Sequence, residues 1–114
     1  MPLTSDQRKR VQGLLGEFCE KRVPPQHRAK LRYGYVIRGS SVTLNEFRPS
    51  LTRPGVWTES AVARFKFDQT TGGWSVFWQR ANGQWRRCDW RRPANRFANV
   101  LAEVVTDSYG VFFG

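Results

Sequence analysis

Apolar residues first recur at the spacing of one helical face, at Val11, Leu14, Leu15, Phe18 and Cys19. Thr4, with Gln7 three residues later, forms a capping-box pattern ahead of them. Together they predict a helix from about Ser5 to Arg22. Pro24 and Pro25 end it, because neither has an amide hydrogen to donate and the first also disfavours helix at Val23.

From Lys30 the period changes to two. Leu31, Tyr33, Tyr35 and Ile37 share one face, and Arg32, Gly34 and Arg38 alternate with them. Gly39, Ser40 and Ser41 turn the chain into Val42, Thr43 and Leu44, whose phase holds until Phe47 breaks it, by a bulge near Asn45 or a change of packing partner. The stretch from Pro49 to Thr58 reads as the longest loop, with Trp57 folding back onto the sheet. Ala61, Ala63, Phe65 and Phe67 then face one way and Arg64, Lys66 and Asp68 the other. After the turn at Gln69–Gly73, Trp74, Val76 and Trp78 line a fourth strand. Asn82-Gly83 predicts a tight type I′ hairpin, which needs positive φ at both central residues. The fifth strand follows from Gln84 to about Trp90. Pro93 suits a first helical turn, and Phe97, Val100, Leu101, Val104 and Val105 predict a second helix from about Ala94 to Thr106. Gly110 suits a left-handed turn beyond it, and Val111, Phe112 and Phe113 are too apolar for a free tail and should dock.

The expected fold is therefore α+β: a five-stranded antiparallel β-meander flanked by an N-terminal and a C-terminal amphipathic helix, in one domain over residues 1–114. Composition adds the charge. Nineteen Lys and Arg against nine Asp and Glu give a formal +10, which points to a polyanionic partner or to a solvated basic surface. No run approaches membrane-spanning length, and Cys19 and Cys88 lie far apart without a metal-ligand spacing, so a cytoplasmic protein with reduced thiols and no cofactor is expected.

Three stretches are distinctive in combination: "SVTLNEFRP" from Ser41 to Pro49, "WTESAVARFKFDQTTGGWSVFWQRANGQWRR" from Trp57 to Arg87, and "TDSYGVFFG" from Thr106 to Gly114. With them the chain resembles domain-of-unknown-function family 3024, over almost its full length. The resemblance implies a small, stand-alone bacterial protein. It supplies no catalytic residue, since the family has no assigned activity. The stretch "WRRCDWRRP" from Trp85 to Pro93 is richer in arginine than the family pattern, so an argument built on it belongs to this chain rather than to its relatives.

Candidate chemistry is sparse. The single histidine, His27, sits in a proline-flanked basic linker, without the base and orienting partner that nucleophilic catalysis needs. Cys19 falls on the helical stripe and reads as core. Cys88 lies among arginines that favour a thiolate, yet an isolated strand cysteine is more often a packing residue. Glu46, Glu59 and Asp68 are the carboxylates available to a metal-dependent nuclease, but they come from different strands without a recognised spacing. Glu46 and Glu59 could equally pair with Arg48 and Arg64. No catalytic constellation emerges, and a non-enzymatic protein is expected.

Trp74, Trp78, Arg80, Trp85, Arg86, Arg87, Trp90, Arg91 and Arg92 fall on one hairpin and its exit. Guanidinium groups beside indole rings supply phosphate attraction and stacking platforms, the two requirements for binding single-stranded nucleic acid without strong sequence preference. Arg80, Trp85, Arg86, Arg87, Trp90, Arg91 and Arg92 are the predicted contacts with DNA or RNA. The tryptophans also admit a plainer reading as core, with arginines covering their edges. An adaptor or inhibitor binding an acidic protein is the alternative function, and a small enzyme or ligand binder the third. Which sheet face the helices cover decides among them.

Overall fold

The computed structural model describes residues 2–88 and 93–113. Its order is α1 (Ser5–Arg22), a short 3-10 turn (Pro25–His27), β1 (Arg32–Arg38), β2 (Ser41–Pro49), β3 (Trp57–Asp68), β4 (Gly73–Gln79), β5 (Trp85–Arg87) and α2 (Phe97–Thr106). The strands form one antiparallel sheet in sequence order, β1-β2-β3-β4-β5. The expected architecture is the observed one.

Helix α1 begins where the capping box places it. The Gln7 N–H donates to Thr4 Oγ1 at 3.1 Å, and the Thr4 N–H donates to Gln7 Oε1 at 2.9 Å, so two amides at the helix start gain partners. Val11 and Leu15 are buried, with Leu14, Phe18 and Cys19 packed beside them. Both helices cover the same sheet face, formed by Tyr33, Tyr35 and Ile37 on β1, Val42 and Leu44 on β2, Ala63, Phe65 and Phe67 on β3, and Trp74, Val76 and Trp78 on β4. Phe97, Val100, Leu101 and Val104 of α2 complete this core. The Phe97 ring centroid lies 4.9 Å from that of Phe65 and 4.9 Å from that of Trp74. Burial of each such ring stabilises the fold by about 1.5–3 kcal/mol.

Four details of the strands and of the start of α2 sharpen or correct the expectation. First, Leu44 lies opposite Ala63 and Asn45 opposite Ala61, which leaves Val62 as an extra residue in β3. The expected bulge near Asn45 is thus present, with its extra residue in the partner strand, and it turns Ala61 to the face of Arg64, away from Ala63. Phe47 keeps its phase in β2 and changes packing partner: it lies over Gly34, where an added Cβ would stand 3.1 Å from the ring. Second, Trp57 is the first residue of β3, opposite Pro49, so the loop shrinks to the segment between them. Third, the hairpin turn is not type I′. The Gly83 N–H donates to the Arg80 carbonyl at 2.8 Å, Gly83 takes φ 86°, and Asn82 does not have positive φ. This is a turn centred on Ala81 and Asn82 followed by a left-handed glycine, which lengthens the loop by one residue. Fourth, α2 starts at Phe97, because Ala94 is still paired with Trp74 through two backbone hydrogen bonds of 2.6 and 3.0 Å.

Asp107 is the left-handed residue that caps α2, with φ 50° and ψ 52°, and Gly110 takes φ 66° in the left-handed turn expected just beyond the helix. The Asp107 carboxylate accepts from the Phe112 N–H at 3.1 Å and the Phe113 N–H at 2.9 Å. This clamp lays Phe113 against Phe18 and Tyr33, with the Arg22 guanidinium 4.3 Å from its ring centroid. The tail docks as its apolar residues require. Val105, expected in the stripe, is exposed. No helix among the described residues is long and apolar enough to cross a membrane.

Candidate nucleic-acid interface

The helices occupy one sheet face, and the register defines what stands on the other. Reading across the strands, one row holds Arg38, Ser41, Lys66 and Ser75, and the next holds Val36, Thr43, Arg64, Phe77 and Arg87. Gly34, Asn45 and Ala61 form a third row, continued on the far strands by Gln79 and Trp85. Arg32, Phe47 and Glu59 form a fourth, with Trp57 beyond it. Neither helix packs on this face. Its basic side chains Arg32, Arg38, Lys66 and Arg87 are exposed and Arg64 is half-buried, and its rings Phe47, Trp57, Phe77 and Trp85 are half-buried.

The rings and cations are paired. The Arg64 guanidinium lies 4.4 Å from the Trp85 ring centroid, and the Arg32 guanidinium 4.3 Å from that of Trp57. Lys66 Nζ stands 5.2 Å from the Phe77 centroid. Arg64 Nε donates to Thr43 Oγ1 at 3.3 Å, and Arg87 donates to Ser75 Oγ at 3.0 Å. These bonds hold two guanidiniums on the sheet surface and, among the described residues, leave other N–H donors of each for a ligand. Stacking a cation on an exposed ring contributes about 0.5–1 kcal/mol and fixes the plane of both groups.

Beside the Arg64–Trp85 stack the face sinks into a hollow of about 480 Å³, lined by Arg38, Asn45, Glu59, Arg64, Gln79 and Trp85 among others. Asn45 is only 4% exposed, and among the described residues it is the one polar residue that is buried.

The predicted contact residues are divided by this geometry. Trp85 and Arg87 stand on the open face, with Trp85 half-buried as one wall of the hollow. Arg86 lies opposite Trp78, on the helix side of the edge strand, and Arg80 sits in the exposed turn. Trp90, Arg91 and Arg92 lie outside the described residues. Trp74 is buried in the core and Trp78 packs against it. Sequence reasoning passed over Arg32, Arg38, Asn45, Phe47, Trp57, Arg64, Lys66 and Phe77. The available signal was that Arg32, Arg38, Arg64 and Lys66 share one strand phase, and Phe47 falls in the polar phase of β2.

The candidate acid–base groups do not converge. Glu46 faces the helix side, forms an ion pair with Arg48 and accepts from the Tyr33 hydroxyl at 3.5 Å. Burial first, and the Glu46 carboxylate second, push the Tyr33 phenol up from its ordinary value. Glu59 belongs to the open face, and Arg64 stacks on Trp85 rather than pairing with it. Asp68 accepts the Thr70 N–H at 2.8 Å in the β3–β4 turn. Among the described residues no group of three His, Cys, Asp or Glu side chains is placed to hold a metal. His27 is exposed, Cys88 is buried, and burial pushes the Cys19 thiol up to about 11.

The family model described as "Domain of unknown function (DUF3024)" matches residues 3–114. The chain belongs to this family. No curated protein and no solved structure matches it. Membership in DUF3024 thus covers both helices, all five strands and the open face, and it attaches no activity to them.

Proposed function

We propose that this DUF3024 chain is a non-enzymatic module that binds single-stranded DNA or RNA across the open face of its sheet. One observation carries the reading: the face left uncovered by both helices bears two guanidinium–indole stacks, Arg64 on Trp85 and Arg32 on Trp57. Sheet surfaces that display aromatic rings beside cations bind unpaired bases by stacking and the phosphate backbone by charge. Arg38, Lys66 and Arg87 extend the positive field over the same surface, in a chain of formal charge +10. From strand spacing and rise, Trp57 and Trp85 stand roughly 16 Å apart, a span suited to a short run of nucleotides. Two cysteines outside any disulfide agree with a reducing, cytoplasmic setting.

The test is fluorescence anisotropy of a labelled thymidine octamer, titrated across a salt series. The logarithm of the association constant should fall linearly with the logarithm of salt, by about 0.7 per phosphate contact. Replacing Arg64 and Arg87 together by alanine should flatten the slope by about one to two contacts. Absence of binding at low salt, or a slope that the double variant leaves unchanged, would refute the proposal. A nuclease-insensitive protein partner in its place would favour the adaptor reading.

A further inference from the structure

The hollow beside the Arg64–Trp85 stack contains a polar group that the fold leaves unpartnered. Asn45 is 4% exposed and lines the hollow, yet among the described residues its carboxamide has no hydrogen-bond partner. A buried amide with neither donor nor acceptor satisfied destabilises a folded chain. The amide therefore has an N–H donor available for an acceptor atom on a ligand.

The other groups around the hollow narrow that ligand. Asn45 lies opposite Ala61, and Glu59 is two residues from Ala61 on the same strand and face, which puts their backbones diagonally about 7–8 Å apart. Glu59 is exposed, has no ion pair among the described residues, and is an acceptor only. Gln79 commits its Nε2 to the Gly83 carbonyl at 3.0 Å, so its oxygen remains to accept. Trp85, capped by Arg64, supplies a flat wall. The hollow thus takes a planar ring that offers adjacent N–H donors to a carboxylate and a carbonyl oxygen to an amide.

We propose that this hollow is a base-reading pocket for guanine within a single strand, with Glu59 accepting from N1–H and the 2-amino group and Asn45 donating to O6. The assignment rests on the open-face binding proposed above and adds selectivity to it. Adenine and cytosine each offer one exocyclic amine beside a ring acceptor. Thymine and uracil offer one ring N–H between two carbonyls, whose lone pairs would meet those of Glu59. Glu59, an acceptor only, disfavours a ring edge that presents lone pairs where guanine presents N–H donors.

The experiment compares thymidine octamers carrying guanine, adenine, cytosine or thymine at one central position, by anisotropy at fixed salt. The guanine octamer should bind at least about tenfold tighter than the all-thymidine one, within the range of a good bidentate base contact. Asn45→Ala and Glu59→Gln should each bring the ratio of guanine to thymine affinity close to one, with folding of each variant verified by its urea transition. Equal affinity for all four octamers would overturn the pocket and leave the open-face reading standing, whereas failure to bind any octamer would overturn both. A preference for another base, or a guanine preference that survives both substitutions, would overturn the residue assignment. Competition by guanosine monophosphate at the octamer's own concentration range would show a free-nucleotide pocket and contradict reading within a strand.

Discussion

Replacing Trp85 by leucine separates stacking from simple apolar cover. Trp85 is half-buried on the three-residue edge strand β5, with Arg64 4.4 Å from its ring centroid. Leucine preserves much of the apolar contact with the sheet and removes the flat ring, while phenylalanine preserves the ring at comparable volume. In the free protein both substitutions forfeit part of the buried indole area and should destabilise the fold. Leucine should cost about 0.5–1 kcal/mol more, for the lost cation–π contact. In the complex, a base that extends the Arg64–Trp85 stack is worth about 1–3 kcal/mol. At a central value of about 2 kcal/mol, Trp85→Leu should weaken octamer binding roughly 30-fold, and Trp85→Phe less than about fivefold. Anisotropy at low salt reads the affinities, and urea denaturation on the same preparations reads the stabilities. Leucine and phenylalanine variants that bind alike within twofold would refute the stacking argument.

Three further predictions follow from individual contacts. Asp107→Ala removes both acceptors of the tail clamp and puts a β-carbon without local hydrogen bonds at φ 50°. It should cost about 2–3 kcal/mol in urea unfolding, whereas Asp107→Asn, which tolerates the left-handed backbone and keeps one acceptor, should cost about 1 kcal/mol. Asn45→Leu replaces an unpartnered buried amide by an apolar side chain of similar volume and should stabilise the free protein by about 1 kcal/mol, in the same urea assay, while abolishing guanine preference. Cys19, its thiol held protonated up to about 11 by burial, should react with a thiolate-directed reagent far more slowly in native protein at pH 8 than in urea. Equal rates would contradict its burial.

The elements that sequence disclosed best were those whose signals are local. The Thr4–Gln7 box and the stripe through Val11 and Leu15 locate α1, and the alternation around Tyr35 and Val76 locates β1 and β4. What escaped depends on pairing between distant segments. The extra residue Val62 is visible only against β2, and it reverses Ala61. The late start of α2 follows from the Ala94–Trp74 bridge, which holds the chain extended where proline alone suggested helix. The candidate site shows the same division. Tryptophan and arginine crowd together between Trp74 and Arg92 in sequence, but alternate residues of a strand face opposite ways, so Arg86 parts from Trp85 and Arg87. The register instead gathers Arg32, Trp57, Arg64 and Trp85 from β1, β3 and β5, a grouping no single stretch displays.

The central claim is that single strands lie on the open face and not on the helix side. Ultraviolet crosslinking of a thymidine octamer to the intact chain, with adducts mapped residue by residue by mass spectrometry, tests it directly. Adducts on Phe47, Trp57, Phe77 and Trp85, lost at high salt, are the predicted result. Adducts on Trp78, on Tyr109 or on the basic first turns of α1 at Arg8 to Arg10, with none on the open-face rings, would contradict it.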